Sequence, residues 1–285
     1  MNKKSFLYNL INIIVIALAV FIFATSYINA GVFAGANAAN IAVIIFAAII
    51  VHSLKAFRLY LALYGANISI SRYIKIYCKV TPISILFPFK LGELFRIYCY
   101  GYSTGDMLKG IVTVILDRFM DTAALVTMII VVWIASGGLM MPLVYILLVF
   151  LVAAILLFAA FPGLYLYWKK HLLRADATPK KLKALKYLES TNRVYQEILG
   201  ITKGRGLILY IISVIAWIAE MSSVAVLNRL DSGTDINSKL SEYLTSALSN
   251  SQSVQLKQFI FISVVMLIVL YLIVKAIETL RGERK

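Results

Sequence analysis

Long apolar runs separated by short polar or basic stretches dominate the chain. A membrane-spanning helix needs about 20 mostly apolar residues. Six runs meet that length and predict helices over 6–28, 39–63, 107–135, 142–168, 206–228 and 257–280. The segment 64–106 behaves differently. Pro82, Pro88, Gly92, Gly101 and Gly105 interrupt two half-length apolar stretches, 70–86 and 91–103. Non-helical backbone at membrane depth survives only where protein or a water-filled cavity satisfies it. The pattern therefore predicts a re-entrant hairpin over 70–103, hinged at Pro88 and Gly92. A surface amphipathic helix with a proline-containing loop is the alternative. The expected fold is all-α and polytopic: one transmembrane domain over 1–285, about six spanning helices and a broken-helix hairpin.

Composition agrees with that pattern. Of 285 residues, 61% are hydrophobic and 14% charged, against about 45–50% and about 25% in soluble domains. The net charge of +15 is not spread evenly. The 169–205 segment holds ten basic and three acidic residues, a balance of +7. The loops 29–38 and 136–141 carry no charge, and 229–256 is a nearly neutral polar loop. Lys3, Lys4, Lys55, Arg58 and the basic tail fall on the side of the 169–205 loop. By the positive-inside rule both termini are expected in the cytoplasm of a cell (inner) membrane protein. The charge points to anionic lipid rather than nucleic acid. The apolar run from Phe6 reads as an uncleaved first helix. Thr178-Pro179 reads as a helix start. Leu182, Leu185, Leu188, Tyr195 and Leu199 then recur at helical spacing among lysines. This predicts a basic amphipathic helix, either on the inner leaflet or packed on the bundle.

Charges inside apolar segments carry the chemistry, because each costs roughly 2.5–3.5 kcal/mol at a helix centre. Asp117 and Asp121 are four residues apart and share a face, with Arg118 rotated by about 100°. Lys90, Glu93 and Arg96 follow Pro88 at three-residue spacing. Glu93 and Arg96 are expected to pair with Asp117, Arg118 and Asp121, holding the broken helix against 107–135. Lys90 is the candidate for an anionic headgroup. The same residues also fit a buried ion network without substrate. Secondary candidates are Arg72, Lys75 and Lys79, with His52, Lys55 and Arg58, as a basic vestibule for phosphate or as snorkelling interface residues. Glu220 is an isolated intramembrane acid whose partner is expected to be Lys55 or Arg58. Cys78 and Cys99 are expected as free thiols. No phosphate loop, nucleophile elbow, metal-ligand spacing or cofactor motif is present in the sequence.

The run Phe87-Pro-Phe-Lys-Leu-Gly-Glu-Leu-Phe-Arg96, followed by Asp117-Arg118-x-x-Asp121, resembles the transmembrane region of lysylphosphatidylglycerol synthases, a flippase-like family. Pro88, Gly92, Glu93, Arg96, Asp117, Arg118 and Asp121 match its pattern, and Ser103 and the basic loop before 206–228 also fit. The resemblance implies lipid handling in the cell envelope. In two-part members this region moves an aminoacylated phospholipid between leaflets, while a soluble domain makes it. That transferase domain is not among these residues, so lysyl-transfer is not expected here. The family's later Pro-Gly-Gly-x-Gly-x-x-Glu segment has no counterpart in 229–256. A homo-oligomer or envelope-synthesis partner could supply a missing wall. The leading expectation is binding, and with it translocation, of a phospholipid or lipid-linked envelope precursor. The alternatives are a non-transporting accessory subunit for envelope glycan or lipid synthesis, and an intramembrane lipid-linked transferase.

Overall fold

The computed structural model describes residues 3–28, 31–33, 36–66, 68–87, 91–136, 142–174, 178–230, 236–248 and 253–280. Among them the backbone forms ten α-helices and no strand. They are α1 (Lys3–Phe23, continued by a wide turn over Ala24–Ile28), α2 (Ala38–Ala62), α3 (Ile70–Leu86), α4 (Leu91–Thr104) and α5 (Met107–Ser136). After these come α6 (Pro142–Arg174), α7 (Pro179–Thr202), α8 (Gly206–Leu230), α9 (Ile236–Leu248) and α10 (Val254–Leu280). Helices α1, α2, α5, α6, α8 and α10 are long and apolar enough to cross a membrane. The protein is thus an all-α, multi-pass membrane protein, and the six spans fall where the apolar runs predict them.

Helices α3 and α4 fill the interrupted segment. With 17 and 14 residues they reach only about 26 and 21 Å at 1.5 Å per residue, short of the roughly 30 Å apolar core. They pack on each other as a hairpin, with α3 against α10 and α4 against α5. Ser69 starts α3 by accepting a hydrogen bond from the Arg72 amide at 3.4 Å. The two arms approach closely at Gly92. A Cβ there would lie 2.5 Å from the Ser84 Cα. The next contact is equally tight, since a Cβ on Gly110 of α5 would lie 2.5 Å from the Gly101 nitrogen of α4. Cys78 and Cys99 are buried on these two arms and are not joined in a disulfide.

Two elements differ from the sequence pattern. Helix α6 does not stop at 168 but runs to Arg174, past the end of the apolar run. Tertiary contacts sustain the extra turns. Lys169 pairs with Glu189 of α7 at 2.8 Å, and Tyr165 donates to the same carboxylate at 3.0 Å. Those hydrogen bonds, Lys169 first, hold the Glu189 carboxyl below the usual carboxylate range. Helix α7 returns antiparallel along α6. Its Tyr195 ring sits 4.7 Å from Phe158 and 4.8 Å from Phe161, while Val194, Ile198 and Ile201 pack on α5 and α8. Thr178 caps α7 through the Lys181 amide. Leu182 and Tyr187 stay exposed.

The second difference lies in 229–256, expected as a polar loop. It contains α9, whose Tyr243, Leu244 and Ser246 are buried against α5 and α8. The apolar positions Leu240, Tyr243, Leu244 and Ala247 follow helical periodicity, diluted by the polar residues between them.

The closeness of the hairpin arms makes a prediction. Gly92→Ala pushes a methyl group into backbone, an overpacking cost of about 1–3 kcal/mol. Unfolding in mixed micelles should show that loss. Gly163→Ala, where nothing lies within 4 Å of the new Cβ, should be no less stable than the wild type, since alanine favours a helix interior over glycine.

Candidate functional site

Asp117 stands at the centre of the buried charges. Its Oδ1 accepts from Arg58 of α2, at 3.0 Å from Nε and 2.5 Å from Nη2. Its Oδ2 accepts from Arg96 of α4 at 2.9 Å. Arg58 Nη1 reaches Asp121, one turn further along α5, at 3.2 Å, and donates to Ser213 of α8 at 2.6 Å. Arg96 Nη1 donates to Glu93 at 3.3 Å. The other Glu93 oxygen accepts from Ser84 of α3 at 2.5 Å and lies 3.0 Å from Arg118 Nε. Three guanidinium groups thus face three carboxylates, so the network is neutral. It joins α2, α3, α4, α5 and α8.

The geometry follows from helical repeat. Asp117 and Asp121 lie on one face of α5, and Arg58 spans both. Glu93 and Arg96, three apart on α4, put one group toward α3 and α5 and the other into the core. Arg58, Arg96 and Asp117 are buried, whereas the Arg118 side chain is 41% exposed. Arg118 is therefore the most exposed cation of the network.

Near this network lies a smaller polar group. Lys55 of α2 sits 3.6 Å from Glu220 of α8, which accepts a 2.8 Å hydrogen bond from Tyr243 of α9. Lys55 also lies 5.4 Å from the centre of the Trp217 ring.

The structure brings together Glu93, Arg96, Asp117, Arg118 and Asp121, and Gly92 stands at the hairpin contact. Pro88 and Lys90 lie outside the described residues. The basic vestibule expected from His52, Lys55 and Arg58 with Arg72, Lys75 and Lys79 is not a single surface. Arg58 turns inward to two aspartates. His52 is buried against Tyr77, 3.2 Å from its hydroxyl. Lys75 pairs with Glu278 of α10, and Lys79 donates to Asn12 of α1 at 2.9 Å. Arg72 is exposed. The attraction of paired carboxylates in a low-dielectric interior outweighs snorkelling for Arg58, whose long side chain reaches α5 from the side. Sequence reasoning missed Ser84, Ser213 and Tyr243, short-range partners whose roles depend on helix packing. Among the described residues no cluster of metal-ligating side chains occurs.

Residues 9–230 match the family described as the lysylphosphatidylglycerol synthase TM region. No curated protein and no solved structure matches the chain. The match ends where α8 ends, so Tyr243 comes from outside it.

Removing one partner from a buried ion pair costs about 3–5 kcal/mol, while an exposed pair is worth about 0–1 kcal/mol. Arg58→Gln should therefore lower unfolding free energy far more than Lys239→Gln, which breaks an exposed pair with Glu242, measured side by side in mixed micelles. Equal losses would mean the Arg58 network is not held in the folded protein.

Proposed function

Because the chain belongs to the lysylphosphatidylglycerol synthase transmembrane-region family, we propose that it binds a membrane lipid at the α3–α4 hairpin and carries its headgroup between leaflets. The lipid is a phospholipid or a lipid-linked envelope precursor.

The observation that carries this reading is the situation of α3. It borders two apolar clefts of about 410 Å³ each. One is walled by α1 and α10 through Val20, Phe23 and Ile268, the other by α2 and α10 through Ile49 and Leu270. Both volumes fall within the range of small-molecule pockets, about 300–1,000 Å³. Acyl chains fit such clefts, because they are as apolar as the bilayer they leave. A headgroup needs a polar path instead. The Ser84–Glu93–Arg118 contacts supply one where the hairpin meets α5.

The step follows from partner exchange. Glu93 is held by Ser84, Arg96 and Arg118. A phosphate that reaches the partly exposed Arg118 side chain competes with Glu93 for it. Glu93 then keeps only its partners on α3 and α4, and the hairpin is freed from one of its ties to α5. The tie through Arg96 and Asp117 remains, so the hairpin pivots rather than detaches. Ligand binding shifts such an equilibrium only by its preference for the released state.

Vesicles carrying a fluorescent phospholipid in one leaflet test this. Purified protein should speed exchange between leaflets, and a Glu93→Gln, Asp121→Asn double variant should fall to the rate of protein-free vesicles. Exchange that is unchanged in the double variant, or absent with folded wild-type protein, would overturn the reading.

A further inference from the structure

Helices α2, α8 and α9 enclose a polar group with hydrogen-bonding capacity left over. Glu220 lies within α8, fourteen residues from its start and ten from its end, and is buried. Its Oε1 accepts from Tyr243, but its Oε2 has no hydrogen bond among the described residues. Lys55 is its ion-pair partner at 3.6 Å, longer than a hydrogen bond of about 2.7–3.2 Å. One turn before Glu220, the Trp217 indole is buried at 6% exposure, and its N–H has no acceptor among the described residues. The Lys55 side chain keeps 24% exposure and forms the open side of the group.

An unmade hydrogen bond on a buried group costs more than a made one returns. A buried indole N–H and a buried carboxylate oxygen, both open and one helical turn apart, are therefore not a finished structural contact. They ask for an acceptor and a donor together. Lys55 and Glu220 cancel each other's charge, and the neighbouring arginine–carboxylate network is also neutral. A net anion would meet one ammonium and be repelled by one carboxylate. A ligand that carries both signs would satisfy both.

We propose that Lys55, Trp217, Glu220 and Tyr243 form a headgroup site for a zwitterionic phospholipid, one bearing a phosphate and an ammonium group. The phosphate takes the Lys55 ammonium and the Trp217 N–H. The lipid ammonium takes Glu220 Oε2, while Tyr243 holds Oε1 in place. This rests on the lipid-binding reading above and narrows it, because the overall charge of +15 alone would favour an anionic lipid. Helix α9 thereby acquires a role in selection, since it orients the carboxylate that meets the headgroup.

Native mass spectrometry of the full purified chain tests this, with phosphatidylethanolamine and phosphatidylglycerol as probes. Phosphatidylethanolamine should bind more tightly. Trp217→Phe, which removes only the N–H, and Glu220→Gln, which keeps an acceptor for Tyr243, should each weaken it by about fivefold, the scale of one hydrogen bond. Glu220→Gln should not weaken phosphatidylglycerol binding, because that lipid brings no ammonium to the carboxylate. If Glu220→Gln does not fold, Trp217→Phe decides alone. Tighter binding of phosphatidylglycerol, or phosphatidylethanolamine binding that both folded variants retain in full, would overturn this site and leave the broader reading standing. Failure of the wild type to bind either lipid would take the lipid-binding reading down with it.

Discussion

Asp117 is the constraint on which the bundle depends. A carboxylate in a membrane interior has no water to fall back on, so it must be met by cations from its neighbours. Its two oxygens are met from different helices, Arg58 of α2 and Arg96 of α4. That divides one side chain between a spanning helix and the hairpin. Apolar contacts between helices are permissive about sliding, because lipid tails are as apolar as leucine. Charges are not, and a shift of one turn would leave three guanidinium groups and three carboxylates mismatched. The ion network therefore sets the register in which α2, α4 and α5 pack.

The short helices complete this frame. The hairpin contributes Ser84, Glu93 and Arg96, and α9 contributes Tyr243. In both cases a helix shorter than the roughly 30 Å apolar core delivers a polar group to a charge. Glycines at the hairpin contacts bring backbone close enough for the short Ser84 hydroxyl to reach Glu93. Thus small residues and charges cooperate: one lets the arms meet, the other fixes where.

Much of the fold was legible in the sequence because the membrane imposes a coarse code of length and hydropathy. The six spans follow from it, and so do α3 and α4, since prolines and glycines mark their ends. Helix α9 was less legible because its apolar stripe of Leu240, Tyr243, Leu244 and Ala247 is thin beside the spanning runs. The extension of α6 to Arg174 depends on Glu189, fifteen residues beyond its end, which hydropathy does not register. In the site, Glu93, Arg96, Asp117, Arg118 and Asp121 stand out because charged residues are scarce in apolar segments. Arg58 was hidden in plain view. Placed near the end of a span and in step with Lys55, it reads as an interface residue. Only the packing of α2 on α5 and α8 turns it inward.

The neutrality of the network has an electrical consequence. Moving one elementary charge through a membrane potential of 100 mV involves work of about 2.3 kcal/mol. Glu93 and Arg96 are carried on the same arm, α4, and move together as a dipole without net charge. When that arm tilts or slides, the transmembrane voltage does almost no work on this pair. In the proposed translocation the field therefore neither assists nor opposes the displacement of this pair, in an energised membrane or a depolarised one.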